Sequence, residues 1–417
     1  MGGRRVKKHI LVISQYFYPE QFRINDMCEE WVERGYKVTV VTGIPNYPHG
    51  KFFKGYNFFK RRKENYKGME IIRLPIIPRG NNSLFLAMNY LSFVISGYLW
   101  KLFTRVKADH VFIFEVSPMT QALPGVWYAK KRNIPCYLYV QDLWPENVEI
   151  VTGITNRKII GPIEKMVNYI YRNCDRIFAT SKSFVRSIQQ RGVPDHKIEF
   201  WPQYAEDFYE KLESTSISEI PDDNAFNVIF AGNIGNAQGL DILPKTAEIL
   251  KQKKRNIRFN VVGDGRYKNE LISEVEKRNV REMFNFIPRQ PATRIPEFMA
   301  ASDAAFLCLT NNRLFEMTIP AKLQSYMACG APIIASADGE VKRIINESES
   351  GFCSEAGNAE SLAENLLRIA ELNDADLNQL GHNAKRYYDS NFNKEKLLDH
   401  MDQKFNEELK LGGEKIV

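Results

Sequence analysis

At 417 residues, with 44% hydrophobic and 26% charged side chains, the chain has ordinary globular composition, which excludes a disordered or fibrous protein and exceeds what one core usually organises. Two domains of roughly 200 residues each are therefore expected. The net charge of +7 is split unevenly: residues 1–200 hold 31 Lys/Arg against 16 Asp/Glu and residues 201–417 hold 26 against 34, so the first half suits an anionic surface and the second does not.

The first nine residues, MGGRRVKKH, are basic but lead straight into a strand pattern, without the apolar core and small-residue cleavage site of a signal peptide. Secretion is not expected. The runs 9–17 (HILVISQYF), 36–43, 69–74, 110–116 (HVFIFEV), 136–142 (CYLYVQD) and 175–181 read as buried strands, with helical patterns at 25–35 and 157–173 between them. Strand and helix in alternation predict a parallel sheet covered on both faces.

Within this half, 51–63 (KFFKGYNFFKRRK) interleaves six Lys/Arg with five aromatics. That composition suits anionic head groups and the membrane interface. Single-stranded nucleic acid, or a solvated loop with aromatics tucked under it, would suit it as well. The neighbouring stretch 84–103 (LFLAMNYLSFVISGYLWKLF) has no charge before Lys101 and approaches transmembrane length, ~20 residues. It reads as a buried core helix, a helix dipping into the interface, or a span. Asn89, Ser92, Ser96 and Gly97, and an α/β pattern that must continue on one side of a membrane, weigh against the span. Together the two stretches favour an anionic membrane surface over nucleic acid.

After a polar stretch at 206–224 the alternation restarts, with strands at 226–232, 257–263, 304–309 and 332–336. The expected architecture is two doubly wound, Rossmann-like α/β domains joined near residue 205, with ligands in the cleft where the carboxyl ends of both sheets face each other. The six cysteines (Cys28, Cys136, Cys174, Cys308, Cys329, Cys353) form no Cys-x-x-Cys pair and mostly lie in apolar runs, so they read as reduced structural thiols.

Three features of the second half suggest phosphate chemistry. FAGNIGNAQGL (230–240) runs from a strand through a Gly-rich turn into a helix, and glycines let backbone N–H groups approach an anion. Val262-Gly263-Asp264-Gly265 and Phe286-Ile287-Pro288-Arg289-Gln290 follow strands of the same sheet; each alone could be a mere bend. In the segment 315–335, Pro320 opens a helix with free N–H groups, Lys322 adds charge in the first turn, and Gly330 closes it.

In this order, FAGNIGNAQGL, VVGDG, IPRQ, PAKLQSYMACGAPIIAS and Asp338-Gly339-Glu340 resemble the family 4 glycosyltransferases, particularly the branch similar to bacterial N-acetylfucosamine transferases of surface-polysaccharide assembly. The first half agrees through SQYFYPE, IPNYPHG, QDLWPENVE and SKSFVRSIQQRGVP. The resemblance implies a GT-B fold, with residues 1–205 facing acceptor and membrane and residues 206–393 holding a UDP-linked, N-acetylated sugar. A last helix, at about 394–417, would pack back on the first domain. By position it puts Gly232, Asn233 and Gly235 beside the diphosphate, Arg289 beside the base, and Pro320, Ala321 and Lys322 toward the phosphates. Ser325 stands where the family often has a ribose-side glutamate, nine residues after Glu316, the candidate sugar-side carboxylate. Asn233 and Gln238 replace a common Arg and Lys, and Gln141 replaces a common His. Asp142 and Glu146 of QDLWPE then become the acids best placed to orient the acceptor hydroxyl or take its proton; the structural alternative for Asp142 is an N-cap of the following turn.

Departure of a nucleoside diphosphate leaves oxocarbenium character on the sugar, and helix N-termini with Lys322 can stabilise the leaving group, so no cofactor and no essential metal are expected. The expected reaction is retaining hexosyl transfer from a UDP-sugar, an N-acetylated hexosamine or deoxyhexosamine, to an undecaprenyl-diphosphate-linked saccharide of capsule, O-antigen or exopolysaccharide synthesis. The expected location is cytoplasmic, peripheral at the inner face of the cell membrane. A UDP-sugar epimerase of the same architecture is one alternative. A non-catalytic nucleotide-sugar-binding partner subunit, motivated by Ser325 and Gln141, is the other.

Overall fold

The computed structural model describes residues 8–407 except 81 and 214. Its contacts divide these residues into two units. The first takes the residues up to Thr180, then Phe184–Trp201 and those from Met401 onward; the second takes Ser181–Ser183 and Pro202–His400. The sequence-based boundary near 205 thus lies a few residues beyond the crossover at Trp201, and the return to the first unit begins at Met401 within the helix Lys394–Asn406. The remainder of the last helix expected to 417 lies outside the described residues.

The first unit holds β1 (His9–Ile13), β2 (Lys37–Gly43), β3 (Lys63–Tyr66), β4 (Met69–Leu74), β5 (His110–Glu115), β6 (Cys136–Val140), β7 (Arg176–Ala179) and β8 (Ile198–Phe200). They form one sheet in the order β3-β4-β2-β1-β5-β6-β7-β8. Every residue of β1, β5 and β6 is buried, as expected where helices cover both faces of a parallel sheet. The sheet is not wholly parallel. β3 pairs antiparallel with β4 through a two-residue turn, Lys67-Gly68, in which both residues have positive φ, the geometry that matches hairpin twist.

β1 ends at Ile13, four residues before the apolar run does. The residues Ser14–Phe17 leave the sheet by steps: Ser14 N still donates to Val41 O of β2 and Gly43 N of β2 to Gln15 O, while Gln15 N turns to Gln121 Oε1 and Phe17 N to Glu20 Oε2. At the other end of this unit's chain Phe405 packs against Trp31, Tyr36, His110, Phe112 and Tyr137.

The helix Ser83–Phe103 is not the core helix that was one reading of its sequence. Only Asn89, Phe93 and Gly97 are buried, a stripe at i, i+4 and i+8. Leu84, Met88, Leu91, Ile95, Leu99 and Leu102 are exposed along the opposite side. The polar residues fasten the inner stripe: Asn89 Nδ2 donates to Ile77 O at 2.6 Å, Gln15 Nε2 donates to Asn89 Oδ1 at 2.7 Å, and Ile77 N donates to Ser92 Oγ at 2.9 Å. Gly97 permits close approach of the Pro124 ring. By length and composition this helix could cross a membrane, yet one side of it is bonded to the rest of the unit.

The second unit holds β9 (Phe226–Asn233), β10 (Ile257–Asp264), β11 (Phe284–Ile287), β12 (Ala304–Cys308), β13 (Ile333–Ser336) and β14 (Gly351–Ser354) in the parallel order β11-β10-β9-β12-β13-β14. Its core joins the inner faces of β9, β10 and β12 to the helices Ile242–Gln252 and Ala359–Ala370 through Leu243, Leu250, Phe259, Leu362 and Leu366. All six cysteines are free thiols.

Candidate active site

The second unit builds a cradle at the carboxyl ends of β9 and β10. The strands pair through their last residues, so Gly232 lies beside Gly263 and Asn233 beside Asp264. Both glycines have φ near +145°, and a Cβ on Gly263 would collide with the Gly232 carbonyl, so the close approach requires glycine. The loop continues with Ile234 N donating to Asp264 O at 2.9 Å and Tyr267 N donating to Ile234 O at 3.1 Å. Gly235 follows with Asn233 Nδ2 so near that a Cβ would sit 2.7 Å from it.

Lys322 enters this cradle from the helix Ala321–Ala328. Pro320 is the N-cap residue and supplies no side-chain cap, so the first amides, of Ala321 and Lys322, remain unbonded within the helix, as at any helix start. Lys322 Nζ donates to Gln238 Oε1 at 2.6 Å and stands 3.8 Å from the centroid of the Phe230 ring. A Cβ on Gly232 would lie 2.5 Å from Lys322 Cε. Burial lowers the lysine pKa to about 8. Tyr326, one turn on, fixes the helix to the strand: Ala231 N donates to its hydroxyl at 3.1 Å. The structure thereby brings together Gly232, Asn233, Gly235 and Lys322, with Pro320 and Ala321 at the adjoining helix start.

The remaining second-unit candidates divide. Ser325 Oγ donates to Ala321 O at 3.1 Å, so this hydroxyl is committed inside its own helix. Glu316 ends the short helix Arg313–Glu316, which Asn312 caps, and its half-buried carboxylate has neither hydrogen bond nor ion pair among the described residues. Gly339 presses on the Glu316 carbonyl, and the buried Glu340 beside it accepts from Ser183 N and Oγ at 2.7 and 2.6 Å and pairs with Arg343. The Asp338-Gly339-Glu340 turn is thus a strut that fixes the Glu316 backbone. Arg289 is exposed two residues beyond the edge strand β11. The chain's one Asp-x-Asp, Asp374-Ala375-Asp376, lies exposed in the first turn of the helix Asp374–Asn391, where Asn373 Nδ2 donates to Asp376 Oδ2 at 2.9 Å.

In the first unit Asp142 follows β6 and does not cap the turn after it. Its Oδ2 accepts from Ser117 N at 2.7 Å, and its own amide donates to Glu115 Oε2 at 3.4 Å. Ser117 Oγ also accepts from Trp144 Nε1 and Asn147 Nδ2, both at 3.1 Å, so QDLWPEN is stitched to the loop after β5. Glu115 is fully buried, and burial, then the nearby Asp142 charge, raises its pKa well above the usual carboxylate range. Glu146 points elsewhere: Oε1 pairs with Arg191 and accepts from Ser187 Oγ. The structure therefore separates the two acids that the sequence grouped, leaving Asp142 at the strand end and Glu146 in an ion pair.

A second cluster ends β1, β2 and β4. Glu20 of SQYFYPE is buried and accepts from Asn46 N at 2.7 Å and Tyr47 N at 2.6 Å, both of IPNYPHG, and from Phe17 N. Burial raises its pKa to about 7. Tyr16, Phe22 and Tyr47 pack together with centroids 5.3–5.5 Å apart. Arg79 lies over Tyr47 at 5.3 Å, and its Nη1 donates to Tyr16 Oη at 3.4 Å. Sequence reasoning gave no role to Glu20, Glu115 or Arg79. A carboxylate inside an apolar strand run is the signal that marks Glu115, because Glu is almost never fully buried without a partner.

Two family models match this chain. Glycosyltransferase Family 4 covers residues 22–203, and Glycosyl transferases group 1 covers residues 213–387. The glycosyl transferase WcaI of Escherichia coli strain K12, named for colanic acid biosynthesis, is 24% identical over 79% of this chain and 83% of its own length. The glycosyltransferase WbjE of Pseudomonas aeruginosa is 25% identical over 73% and 76%. Among solved structures, sucrose-phosphate synthase from Thermosynechococcus elongatus has a TM-score of 0.73 at 16% identity, covering 96% of this chain and 98% of its own. HepE of Anabaena, solved with UDP and glucose, has a TM-score of 0.67 at 16% identity, covering 95% and 99%. These likenesses establish the GT-B fold of two parallel-sheet, Rossmann-like domains.

Proposed function

Because the chain is a GT-B glycosyltransferase, with a family 4 first half and a group 1 second half, we propose that it is a retaining enzyme of surface-polysaccharide assembly. In this reading it moves an N-acetylated hexosamine or deoxyhexosamine from a UDP-sugar to an undecaprenyl-diphosphate-linked saccharide. The observation that carries the donor half is the Lys322 ammonium, desolvated against Phe230 and countered only by the neutral Gln238 among the described residues, beside a glycine cradle and a free helix start. Such a cation gains most when an anion arrives, since the low-dielectric surroundings strengthen the new pair. Asn233 and Gly235 flank the diphosphate, and Glu316 faces the sugar. Arg289 would contact the base, and Ser325 would reach the ribose only by giving up its bond to Ala321. HepE, solved with UDP, and WcaI, named for colanic acid biosynthesis, support the carrier and the pathway class.

In the first unit Asp142 orients the acceptor hydroxyl. Ser117 N holds one carboxylate oxygen and leaves the other for substrate. Lys322 and the helix amides stabilise the leaving diphosphate, so no metal step is invoked. The exposed apolar side of Ser83–Phe103 and the exposed Phe58, Phe59, Lys60 and Arg61 support attachment to an anionic bilayer. They favour a peripheral, cytoplasmic-face location.

The test incubates full-length protein and anionic vesicles carrying lipid-linked saccharide with a panel of UDP-sugars, with and without chelator, following UDP release and product by mass spectrometry. Chelator-insensitive transfer that keeps the anomeric configuration supports the reading. Isomerised UDP-sugar would replace it with an epimerase. UDP binding without turnover of any donor would replace it with a non-catalytic partner.

A further inference from the structure

The first unit carries a cation, Arg79, to which the chemistry at Asp142 gives no part. Arg79 has no carboxylate partner among the described residues. Its position is nonetheless built: its amide donates to Asn46 Oδ1 at 2.9 Å, its guanidinium lies over Tyr47 at 5.3 Å, and its Nη1 reaches Tyr16 Oη. Asn46 and Tyr47 are in turn fixed by the buried Glu20. A guanidinium held over an aromatic ring and by a tyrosine hydroxyl keeps its remaining N–H donors in a fixed fork, which suits a phosphate better than a point charge would.

Two neighbours give this cation an address. Gly80, at φ +59°, turns the chain so tightly that a Cβ there would lie 2.7 Å from Phe85 Cβ, so Arg79 adjoins the first turn of the exposed apolar helix. Tyr90, one and a half turns further on, is half-buried, and the charges of Arg79 and Asp142 both act on its hydroxyl. Arg79 therefore stands at the edge of the surface assigned to the bilayer, and it shares Tyr90 as a neighbour with the acid assigned to the acceptor hydroxyl. A lipid-linked saccharide has its phosphates between its sugar and its hydrocarbon.

We infer that Arg79, on its Tyr47–Tyr16 platform, is the binding site for the diphosphate of the isoprenoid-linked acceptor. This rests on the reading of the enzyme as a transferase to a lipid-linked saccharide. The shared chemistry, a phosphate at a membrane surface, could also come from a phospholipid head group, so the experiment separates the two sources.

One saccharide is offered on three carriers: a long isoprenoid diphosphate in vesicles, a short water-soluble isoprenyl diphosphate, and an uncharged alkyl chain. Wild type and Arg79→Gln are compared, with Arg79→Lys as the conservative variant and UDP affinity as the check that the chain is folded. The site predicts that Arg79→Gln raises KM for both diphosphate carriers about ten- to hundredfold, with the alkyl carrier and UDP affinity unchanged and Arg79→Lys recovering part of the loss. A variant that weakens vesicle binding but keeps the wild-type KM for the soluble diphosphate carrier would assign Arg79 to head groups and overturn the inference. Equal effects on charged and uncharged carriers would overturn it too. Failure of the wild type to glycosylate any carrier would strike the proposed function instead.

Discussion

The strand ends of the two units are held by different means. In the second unit the loops after β9 and β10 are fixed by backbone against backbone, an approach only the Gly232–Gly263 pair allows, and Lys322 and Lys268, whose Nζ donates to Gly263 O at 3.2 Å, supply the charge. In the first unit the loops after β1, β2 and β4 are fixed by side chains: Glu20 accepts from three amides, Asn46 holds Arg79, and three aromatics fill the space between. A backbone cradle presents the same N–H groups whatever the neighbouring side chains, which suits a diphosphate common to many donors. A side-chain platform changes with each substitution, which suits an acceptor particular to one pathway.

The comparison breaks most readily at Gly263. Gly263→Ala forces a Cβ into the Gly232 carbonyl at a positive φ and should cost about 2–5 kcal/mol in urea unfolding; a loss under 1 kcal/mol would show that the cradle is not rigid. Lys322→Met separates charge from packing. It should lower kcat/KM for donor about a hundredfold while leaving thermal stability equal or higher, since a desolvated charge is removed. In the wild type, UDP affinity should fall as pH rises through about 8, where the free lysine loses its proton, and calorimetry on Lys322→Met should show no such fall.

The first unit should respond to Glu20. Glu20→Ala leaves buried amides unpaired and should cost about 1–3 kcal/mol, with the acceptor KM suffering more than the donor KM. Its folded pKa of about 7 lies above the ordinary glutamate value of 4.5, so between these the folded chain binds more protons than the unfolded one, and stability falls as pH rises. Glu20→Gln should flatten that slope in denaturation curves. Reversing Lys60 and Arg61 to Glu should weaken binding to anionic vesicles, by about 1 kcal/mol per removed cation, without affecting turnover of a soluble acceptor. The smallest effect belongs to Ser325→Ala, because the hydroxyl is spent on Ala321 O. Donor kinetics should stay within about threefold of wild type, and a larger loss would return Ser325 to the ribose.

Much of the second unit was legible because its information is local. Gly232 and Gly330 sit at a strand end and a helix end with the positive φ that favours glycine, and Pro320 with Lys322 marks a helix start, so short windows of sequence carry the turns that build the cradle. That Asp142 and Glu146 point in different directions was not legible, for the opposite reason. They are four residues apart, but Ser117 and Arg191, distant in sequence, decide where each carboxylate points.

What the sequence determined by itself was the repeated strand–helix alternation, the two-unit plan, the glycine turns and the basic, aromatic character of the first half. These are properties of local period and composition, and burying a parallel sheet leaves few other solutions. Tertiary structure alone decided that Ser83–Phe103 exposes most of its apolar surface, that β3 runs antiparallel, and that Glu20 ties two loops together. It likewise left Arg79 without a carboxylate among the described residues. Each depends on which distant groups meet, because a helix face, a buried carboxylate or an unpaired cation takes its meaning only from the donors, acceptors and apolar surface opposite it.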